Sequence, residues 1–111
     1  MTDATPLGEL EQLILLAILR LGADAYGPSI AWELESQAGR RLSRGALYTS
    51  LERLETKGYL RWRLESGGPE RHGLPKRVYM VLPRGVSALR SSPQRILRRM
   101  WRGLDILKEQ S

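Results

Sequence analysis

The most regular hydrophobic pattern in the chain begins near its N-terminus and predicts a helix from Gly8 to Gly22. Apolar residues recur there at helical spacing, namely Leu10, Leu13, Ile14, Ala17, Ile18 and Leu21. Leu15, Leu16 and Leu19 fill the other side, so the helix is apolar nearly all round. Such a helix has to be covered on more than one face. In a chain this short, we expect a second subunit to provide part of the cover.

Two further helices are predicted in the next part of the chain. The first runs from Pro28 to Ala38, because proline is well tolerated in the first turn of a helix and Gly39 follows as a stop. The second begins after Ser43, a favourable N-cap, and runs from Arg44 to about Lys57. Gly58 is its expected C-terminal stop.

The helix that follows Ser43 carries two contrasting faces. Leu47, Leu51 and Leu54 are spaced i, i+4 and i+7 and predict one narrow buried stripe. The residues on the opposite face are polar or small: Gly45, Thr49, Glu52, Arg53 and Thr56. Because several of these residues are small and none has a bulky ring, this face is suited to approach another surface closely.

Two strand-like runs and a last helical region follow. Residues 60–65 alternate between apolar and polar, and residues 77–82 are rich in β-branched and aromatic side chains. The Gly- and Pro-rich segment 66–76 between them predicts a long, positively charged hairpin loop. From Pro83 to Glu109 the pattern is helical again, with a kink or restart at Ser91-Ser92-Pro93. The apolar stripe of this region consists of Ile96, Leu97, Met100, Trp101, Leu104 and Leu107.

This order of elements predicts a mainly α fold of the α+β class. Three helices followed by a two-stranded wing give the winged helix-turn-helix arrangement. We expect residues 8–82 to form the winged helix-turn-helix unit. Residues 83–110 are expected to form a C-terminal dimerisation helix within the same compact unit. The length of 111 residues suits one domain.

Charge is distributed unevenly along the chain. The sequence carries 18 basic and 12 acidic side chains, a net charge of +6. Residues 1–42 contain three basic and six acidic residues, whereas residues 43–111 contain fifteen basic and six acidic residues. The excess positive charge therefore lies entirely in the second part, which indicates a polyanionic partner, usually nucleic acid. A merely solubilising surface is the alternative interpretation.

A helix-turn-helix places the start of its second helix against base edges in the major groove. Here Arg44 is suited to donate two hydrogen bonds to guanine, and Thr49 to contact either kind of base. Arg53 and Tyr48 point toward the path of the phosphates, where contacts set register rather than sequence. The residues expected to contact DNA are Ser29, Ser43, Arg44, Gly45, Tyr48, Thr49, Arg53, Arg71, His72, Lys76 and Arg77.

The sequence offers no motif for catalysis or metal binding. It lacks cysteine, and its only histidine, His72, is expected to be a solvated residue of the hairpin loop. We therefore expect neither an enzyme nor a bound cofactor or metal. Trp62 is expected to lie in the core beneath the hairpin. The longest apolar run, Leu13–Leu19, is too short to span a membrane and no signal peptide is evident, so we expect a soluble, cytoplasmic protein.

The segment Ser43–Leu60 resembles the recognition helix of the PadR-like transcriptional regulators. The matching features are Leu47-Tyr48, the Leu51 and Leu54 spacing, Arg53-Leu54-Glu55, the closing Gly58, and Tyr26-Gly27 at the entry to the second helix. Lys76–Leu82 followed by Gly85 resembles the second wing strand of the family. The resemblance covers roughly residues 8–110. It departs at Arg44, Val78 and Leu82, where the family usually has proline, an aromatic residue and threonine.

The resemblance implies a homodimeric repressor that binds an inverted-repeat operator, of the short subgroup with a single C-terminal helix. That helix pairs with the first helix of the partner, which implies a dimer interface of Leu10, Leu13, Ile14, Leu97, Met100, Trp101, Leu104 and Leu107. Some short members are similar in holding flat aromatic ligands between subunits. Trp101 and Asp105 fit that pattern as a stacking plane beside an acid. Ordinary packing of Trp101 is the alternative.

Two other functions are compatible with the sequence. One is a winged-helix module that binds protein through its hairpin and last helix, without sequence-specific DNA binding. The other is a ligand-binding dimer that has lost DNA binding. The arginines of the last helix either form its solvated face or touch DNA; they are Arg95, Arg98, Arg99 and Arg102.

Overall fold

A computed structural model describes residues 7–102 and Leu104. In this part of the chain, three helices are followed by a hairpin of two strands and two further helices. They are α1 (Glu9–Leu21), α2 (Gly27–Ala38), α3 (Arg44–Thr56), β1 (Leu60–Glu65), β2 (Lys76–Val81), α4 (Pro83–Arg90) and α5 (Pro93–Trp101). The predicted winged helix-turn-helix fold of the mainly α, α+β class is therefore confirmed.

Helix α1 lies at the centre of the protomer and buries most of its apolar residues. Ile14, Leu15 and Ile18 are almost completely buried, whereas Leu16 and Leu19 remain about half exposed. The assignment of Ile14 to a dimer interface is therefore wrong, because its side chain is enclosed by the other helices of its own chain and has no surface to offer. The exposed Leu16 and Leu19 are the uncovered side that the all-round apolar pattern predicted.

The core joins α1 to the helix-turn-helix and to both strands. It is built from the predicted stripe of α3 together with residues of the neighbouring elements: Ile14, Leu15, Ile18, Ala25, Ile30, Leu34, Leu47, Leu51, Leu54, Tyr59, Leu60 and Tyr79. Burial of these side chains is the main force that fixes α3 relative to α1 and α2. The opposite face of α3 is thereby turned to solvent.

A tight turn connects α3 to the hairpin. Gly58 has a φ of +78°, in the left-handed region that favours glycine. The Tyr59 N–H donates to the Leu54 carbonyl at 3.0 Å, which satisfies one of the free carbonyls at the helix end. The chain can therefore reverse direction and start β1 two residues later, as the position of Gly58 in the sequence predicted.

The two strands pair antiparallel, from Leu60 opposite Val81 to Glu65 opposite Lys76. The Tyr79 N–H donates to the Ala25 carbonyl at 2.7 Å, which attaches β2 to the segment that leads into α2. The base of the hairpin is therefore fixed beside the start of α2. Its outer part lies outside the core, as the 61% exposure of Leu64 shows. Trp62 is half-buried and packs against the core, as the prediction that it lies beneath the hairpin requires in part.

The C-terminal helical region is divided in two, as predicted at Ser91-Ser92-Pro93. Ser92 caps α5 by accepting a hydrogen bond from the Arg95 N–H at 3.4 Å. The helix ends at Trp101, and Arg102 is extended, so the prediction of a continuous helix through this point is wrong. Gly103, a poor helix former, comes next in the sequence. Residues 103 and 105–111, including the predicted site residues Asp105 and Leu107, lie outside the described residues.

A buried polar contact attaches α5 to α1. The Gln12 side chain is almost fully buried, and its Nε2 donates to the Leu7 carbonyl at 3.1 Å and to Gln94 Oε1 at 2.5 Å. Because a buried amide without partners is costly, this contact favours one placement of the N-terminal end of α5.

Candidate nucleic-acid interface

The outer face of α3 is open to solvent over its whole length. The polar and small residues predicted there are all exposed: Gly45, Thr49, Glu52, Arg53 and Thr56. The N-terminal end is held by Ser43, whose Oγ accepts a hydrogen bond from the Ala46 N–H at 3.1 Å. The predicted cap is confirmed, and the Ser43 hydroxyl proton stays available for a ligand.

Tyr48 packs against the first turn of α2. A methyl group built on Gly27 would overlap the Tyr48 hydroxyl and would lie 2.9 Å from its Cζ, so any larger residue at this position would displace the ring. Arg44, one helical turn before Tyr48, holds its guanidinium carbon 5.7 Å from the centre of the same ring. This distance is within the range of cation–π attraction.

Two further cations of the interface lie over aromatic rings. The Lys76 ammonium is 4.3 Å from the centre of the Tyr26 ring, and the Arg77 guanidinium is 4.1 Å from the Trp62 ring. Sequence reasoning missed these platforms, because Lys76 and Tyr26 are distant in the chain and meet only through the attachment of β2 beside α2. The only local sign of these contacts in the sequence was the alternation of apolar and charged residues along the strands.

The wing, which is the hairpin of β1, β2 and their loop, is braced by Arg71. Its Nη2 donates to the Pro75 carbonyl at 3.1 Å and its Nε lies 3.4 Å from the Leu74 carbonyl. The guanidinium therefore stabilises the loop of its own chain, and this corrects the view of Arg71 as solely a DNA contact. His72 is exposed in the same loop and has a φ of +55°.

A cleft of about 280 Å³ lies between the start of α2, the start of α3 and the wing. It brings together five of the predicted DNA-binding residues, namely Arg44, Tyr48, Arg71, Lys76 and Arg77. Tyr26 and Leu64 also line it. Arg53 is not part of this lining and lies on the exposed face of α3. The cleft and the exposed face of α3 together form what we call the cationic surface.

Ser29 does not contribute a free hydroxyl to the cationic surface. Its Oγ accepts from the Tyr26 N–H at 3.0 Å and donates to the Asp24 carbonyl. Because a hydroxyl has one proton, these local bonds use its donor. The expected DNA contact of Ser29 is therefore corrected to a structural role at the start of α2.

Five ion pairs lie outside the cationic surface: Arg20 with Glu33, Arg40 with Glu9, Arg41 with Glu35, Lys57 with Glu11, and Arg63 with Glu65. Other arginines outside it, such as Arg61, Arg84 and Arg98, form no ion pair among the described residues. Within residues 7–102 and Leu104, no carboxylate oxygen lies within 4.0 Å of the charged nitrogens of Arg44, Arg53, Lys76 or Arg77. These four cations are available to an anion from outside the protomer.

Tyr79 lies beneath the cationic surface. Burial raises the pKa of its phenol above the ordinary value, an effect that the neighbouring Arg77 partly opposes. The phenol therefore stays neutral at physiological pH and acts as core rather than as a charged ligand.

The apolar residues predicted for the subunit interface are exposed on α5 and at Leu104, and those on α1 are half-buried apart from the fully buried Ile14. Leu97, Met100, Trp101 and Leu104 are all exposed, with Met100 at 71%, whereas Leu10 and Leu13 are half-buried. Leu16 lines the same cavity of about 360 Å³ as Val86 and Arg95, which places the open side of α1 next to the beginning of α5. We call Leu16, Leu19 and the α5 stripe the apolar surface.

The described residues contain neither a metal-binding cluster nor a membrane-spanning helix. In residues 7–102 and Leu104, no group of three or more His, Cys, Asp or Glu side chains is arranged to hold a metal ion. None of the helices in this same part of the chain has both the length and the apolar content needed to cross a membrane.

Comparison with protein families gives one match. The model described as "Transcriptional regulator PadR-like family" matches residues 15–91, which cover α2, α3, both strands and α4. This description is that of a regulator of transcription rather than an enzyme, in agreement with the sequence prediction. No curated protein is similar enough to the chain to count as a match.

Solved structures of the same family share the fold. A PadR family regulator from Eggerthella lenta is 25% identical, with a TM-score of 0.61 over 93% of this chain and 88% of its own. One from Clostridium difficile is 22% identical, with a TM-score of 0.63 over 93% and 97%. Bacillus subtilis PadR, solved in complex with operator DNA, is 20% identical, with a TM-score of 0.61 over 78% of this chain and 47% of its own.

Proposed function

Because the chain belongs to the PadR-like family of transcriptional regulators, we propose that it is a homodimeric repressor that binds an inverted-repeat DNA operator. The observation that carries this proposal is the cationic surface, whose four cations have no carboxylate partner among the described residues. Arg44, Lys76 and Arg77 line the cleft at the start of α3. Arg53 lies further along the exposed face of this helix. The operator complex of the Bacillus subtilis relative supports the same use of the fold. The proposal includes a cytoplasmic location, since a regulator has to reach its DNA.

Base recognition is assigned to the first turn and a half of α3. Arg44 is suited to make a bidentate contact to guanine, and Thr49 to contact a base edge or a thymine methyl group. Gly45 lies between them on the exposed face and has no side chain that would hold the helix away from the groove. Ser43 supplies a hydroxyl at the helix start.

Phosphate binding is assigned to the remaining members of the cationic surface. Arg53 lies further along α3, while Lys76 and Arg77 lie across the cleft at the wing. Contacts of this kind fix the position of a protein on the duplex without reading sequence. Arg71 and His72 would then meet the flanking backbone or minor groove with the loop that Arg71 stabilises.

Dimerisation is assigned to the apolar surface, with the segment from Pro83 onward as the dimerisation unit beside the winged helix-turn-helix of residues 8–82. Exposed residues on α5, together with Leu16 on α1, support this assignment, since an apolar stripe of this kind rarely stays open to water. In the dimer, the two copies of α3 should lie about 34–36 Å apart, one turn of DNA.

Release by a small, flat aromatic effector is a further part of the proposal. It rests on Trp101, whose side chain is half exposed on α5 and can offer a stacking plane. Quenching of tryptophan fluorescence by planar aromatic compounds in the wild type, and its loss in Trp101→Ala, is the expected result. Equal quenching in both proteins would assign Trp101 to packing alone.

Selection of bound sequences from random DNA tests the proposed function. We expect enrichment of an inverted repeat whose half-site centres lie 10–10.5 base pairs apart. Arg53→Ala should select the same sequence with lower yield, because it removes a phosphate contact and not a base contact. A library that stays random would reject sequence-specific binding and favour a module that binds protein through the wing and α5.

A further inference from the structure

Arg44 lies where the two parts of the cationic surface, the cleft and the exposed face of α3, meet. It is the first residue of α3, it is exposed, and it lines the cleft beside the wing. An exposed arginine samples many rotamers, and ordering it on a base costs conformational entropy. A neighbour that restricts those rotamers in advance therefore raises the selectivity of the contact.

Tyr48 is placed to supply that restriction. It is four residues after Arg44 and so lies on the same face of α3, with its ring under the guanidinium at 5.7 Å. The far end of the ring abuts Gly27, where the start of α2 leaves no space for even a methyl group. The ring is thus held between the backbone of α2 and the Arg44 side chain.

We propose that Tyr48 is a positioning residue that directs Arg44 to its base pair, and that Gly27 sets the position of the Tyr48 ring. Tyr48 then determines sequence preference through Arg44 and is not primarily a phosphate ligand. The inference rests on the proposed DNA-binding function. It adds that specificity at one base pair depends on the packing of α2 against α3.

The experiment uses the full chain and the sequence selected by the wild type. Dissociation constants are measured at one salt concentration for this sequence and for its single-base-pair variants. The base pair read by Arg44 is the one at which Arg44→Ala loses preference, by about tenfold for a lost bidentate contact. Preference at that base pair is then compared in Tyr48→Leu, Tyr48→Phe and Gly27→Ala.

Tyr48→Leu should lower the preference at that base pair by about threefold or more, and this loss should exceed its loss of affinity for unrelated DNA. Arg44→Ala should then cost less preference in the Tyr48→Leu protein than in the wild type, since the two residues act together. Tyr48→Phe should keep the wild-type preference, because it retains the ring. Gly27→Ala leaves both side chains intact but displaces the ring, and should lower the preference as well.

Tyr26→Leu is the matched control, because Tyr26 is the ring beneath Lys76 on the other side of the cleft. It should weaken binding to all sequences without changing the preference at the Arg44 base pair. Thermal unfolding of every variant shows whether the fold is retained. Gly27→Ala and Tyr48→Phe keep the comparison informative if Tyr48→Leu is destabilised.

Three results would overturn the inference while the proposed function stands. They are an unchanged preference in Tyr48→Leu and Gly27→Ala, an equal loss of affinity for all sequences, and a Tyr48→Phe protein that behaves like Tyr48→Leu. The last result would identify a hydroxyl contact to phosphate. A wild type without any sequence preference would instead overturn the proposed function, and this inference with it.

Discussion

The cationic surface and the apolar surface are both incomplete in a single chain, but in different ways. At the cationic surface, Arg44, Lys76 and Arg77 are held over aromatic rings and lack carboxylate partners within the described residues. At the apolar surface, leucines of α1 and the stripe of α5 lack cover in the same part of the chain. The first surface is suited to bind an anion and the second to pack against another apolar face, in line with the proposed function.

Under the proposed function, this difference would let one short chain bind DNA and a second subunit through separate surfaces. The ring platforms hold the cations in place without neutralising them, so they remain effective toward phosphate. The apolar stripe lies on α5, which contributes no buried residue to the protomer core. The α5 stripe can therefore be altered with little effect on the fold of the protomer.

The largest effect is expected when the apolar surface is disrupted. Leu97→Glu combined with Met100→Glu places charges in the stripe and should give a monomer in analytical ultracentrifugation. Loss of the second half-site contact should weaken operator binding by roughly a thousandfold, because avidity contributes about 10²–10⁴. The protomer should stay folded, since both residues are exposed.

Trp32→Ala is the control for that experiment. Trp32 is an apolar residue on α2 that is 67% exposed and lies outside the apolar surface. Its removal should leave both the mass and the affinity unchanged. A dimer that persists in the doubly substituted protein would show that the subunit interface lies elsewhere.

Ile14→Ala should destabilise the fold by about 3 kcal/mol, because it opens a cavity between α1 and the core. Leu16→Ala, two residues further along α1, should leave the stability of the protomer nearly unchanged and weaken the dimer instead. Chemical denaturation at low protein concentration measures the first effect, and sedimentation measures the second. Equal losses of stability would mean that α1 has no division between a core side and an interface side.

A smaller effect is expected from the ion pair of Glu11 and Lys57. The two side chains meet at 2.9 Å and are only 19% and 23% exposed, and they connect α1 to the end of α3. Lys57→Met should lower the free energy of unfolding by about 1 kcal/mol, at the upper end of the range for surface pairs. Arg41→Met, in the far more exposed pair with Glu35, should change it by about zero. Similar changes in the free energy of unfolding for both variants would show that partial burial does not strengthen the Glu11–Lys57 pair.

Much of the fold could be predicted from local signals in the sequence. The stripe of Leu47, Leu51 and Leu54, the Ser43 cap and Gly58 located α3 and its exposed face, because each acts within a few residues of the helix. The end of α5 could not be located, because the apolar stripe continues in the sequence past Arg102, where the backbone becomes extended. The spacing of apolar residues indicates which side of a helix is buried, but it does not indicate where the helix ends.

The site was predictable as a list of residues but not as an arrangement. The basic residues of α3 and the wing were found from charge and position. Their ring platforms, the bracing of the loop by Arg71 and the local bonds of Ser29 depend on contacts between segments distant in the chain or on backbone geometry. Ile14 was misplaced for a similar reason, since an all-round apolar helix does not show which side its own chain covers.

The dependence of DNA affinity on salt tests the central claim that the cationic surface binds phosphate. For the wild type on its selected sequence, the logarithm of affinity should fall linearly with the logarithm of salt concentration. Arg53→Ala combined with Lys76→Ala removes two contacts from each subunit of the dimer and should reduce this slope by about 3.6 units, at about 0.9 for each of the four lost contacts. Arg41→Ala, which removes a cation outside the surface, should leave the slope as it is. A wild-type affinity that does not change between low and moderate salt would contradict the claim.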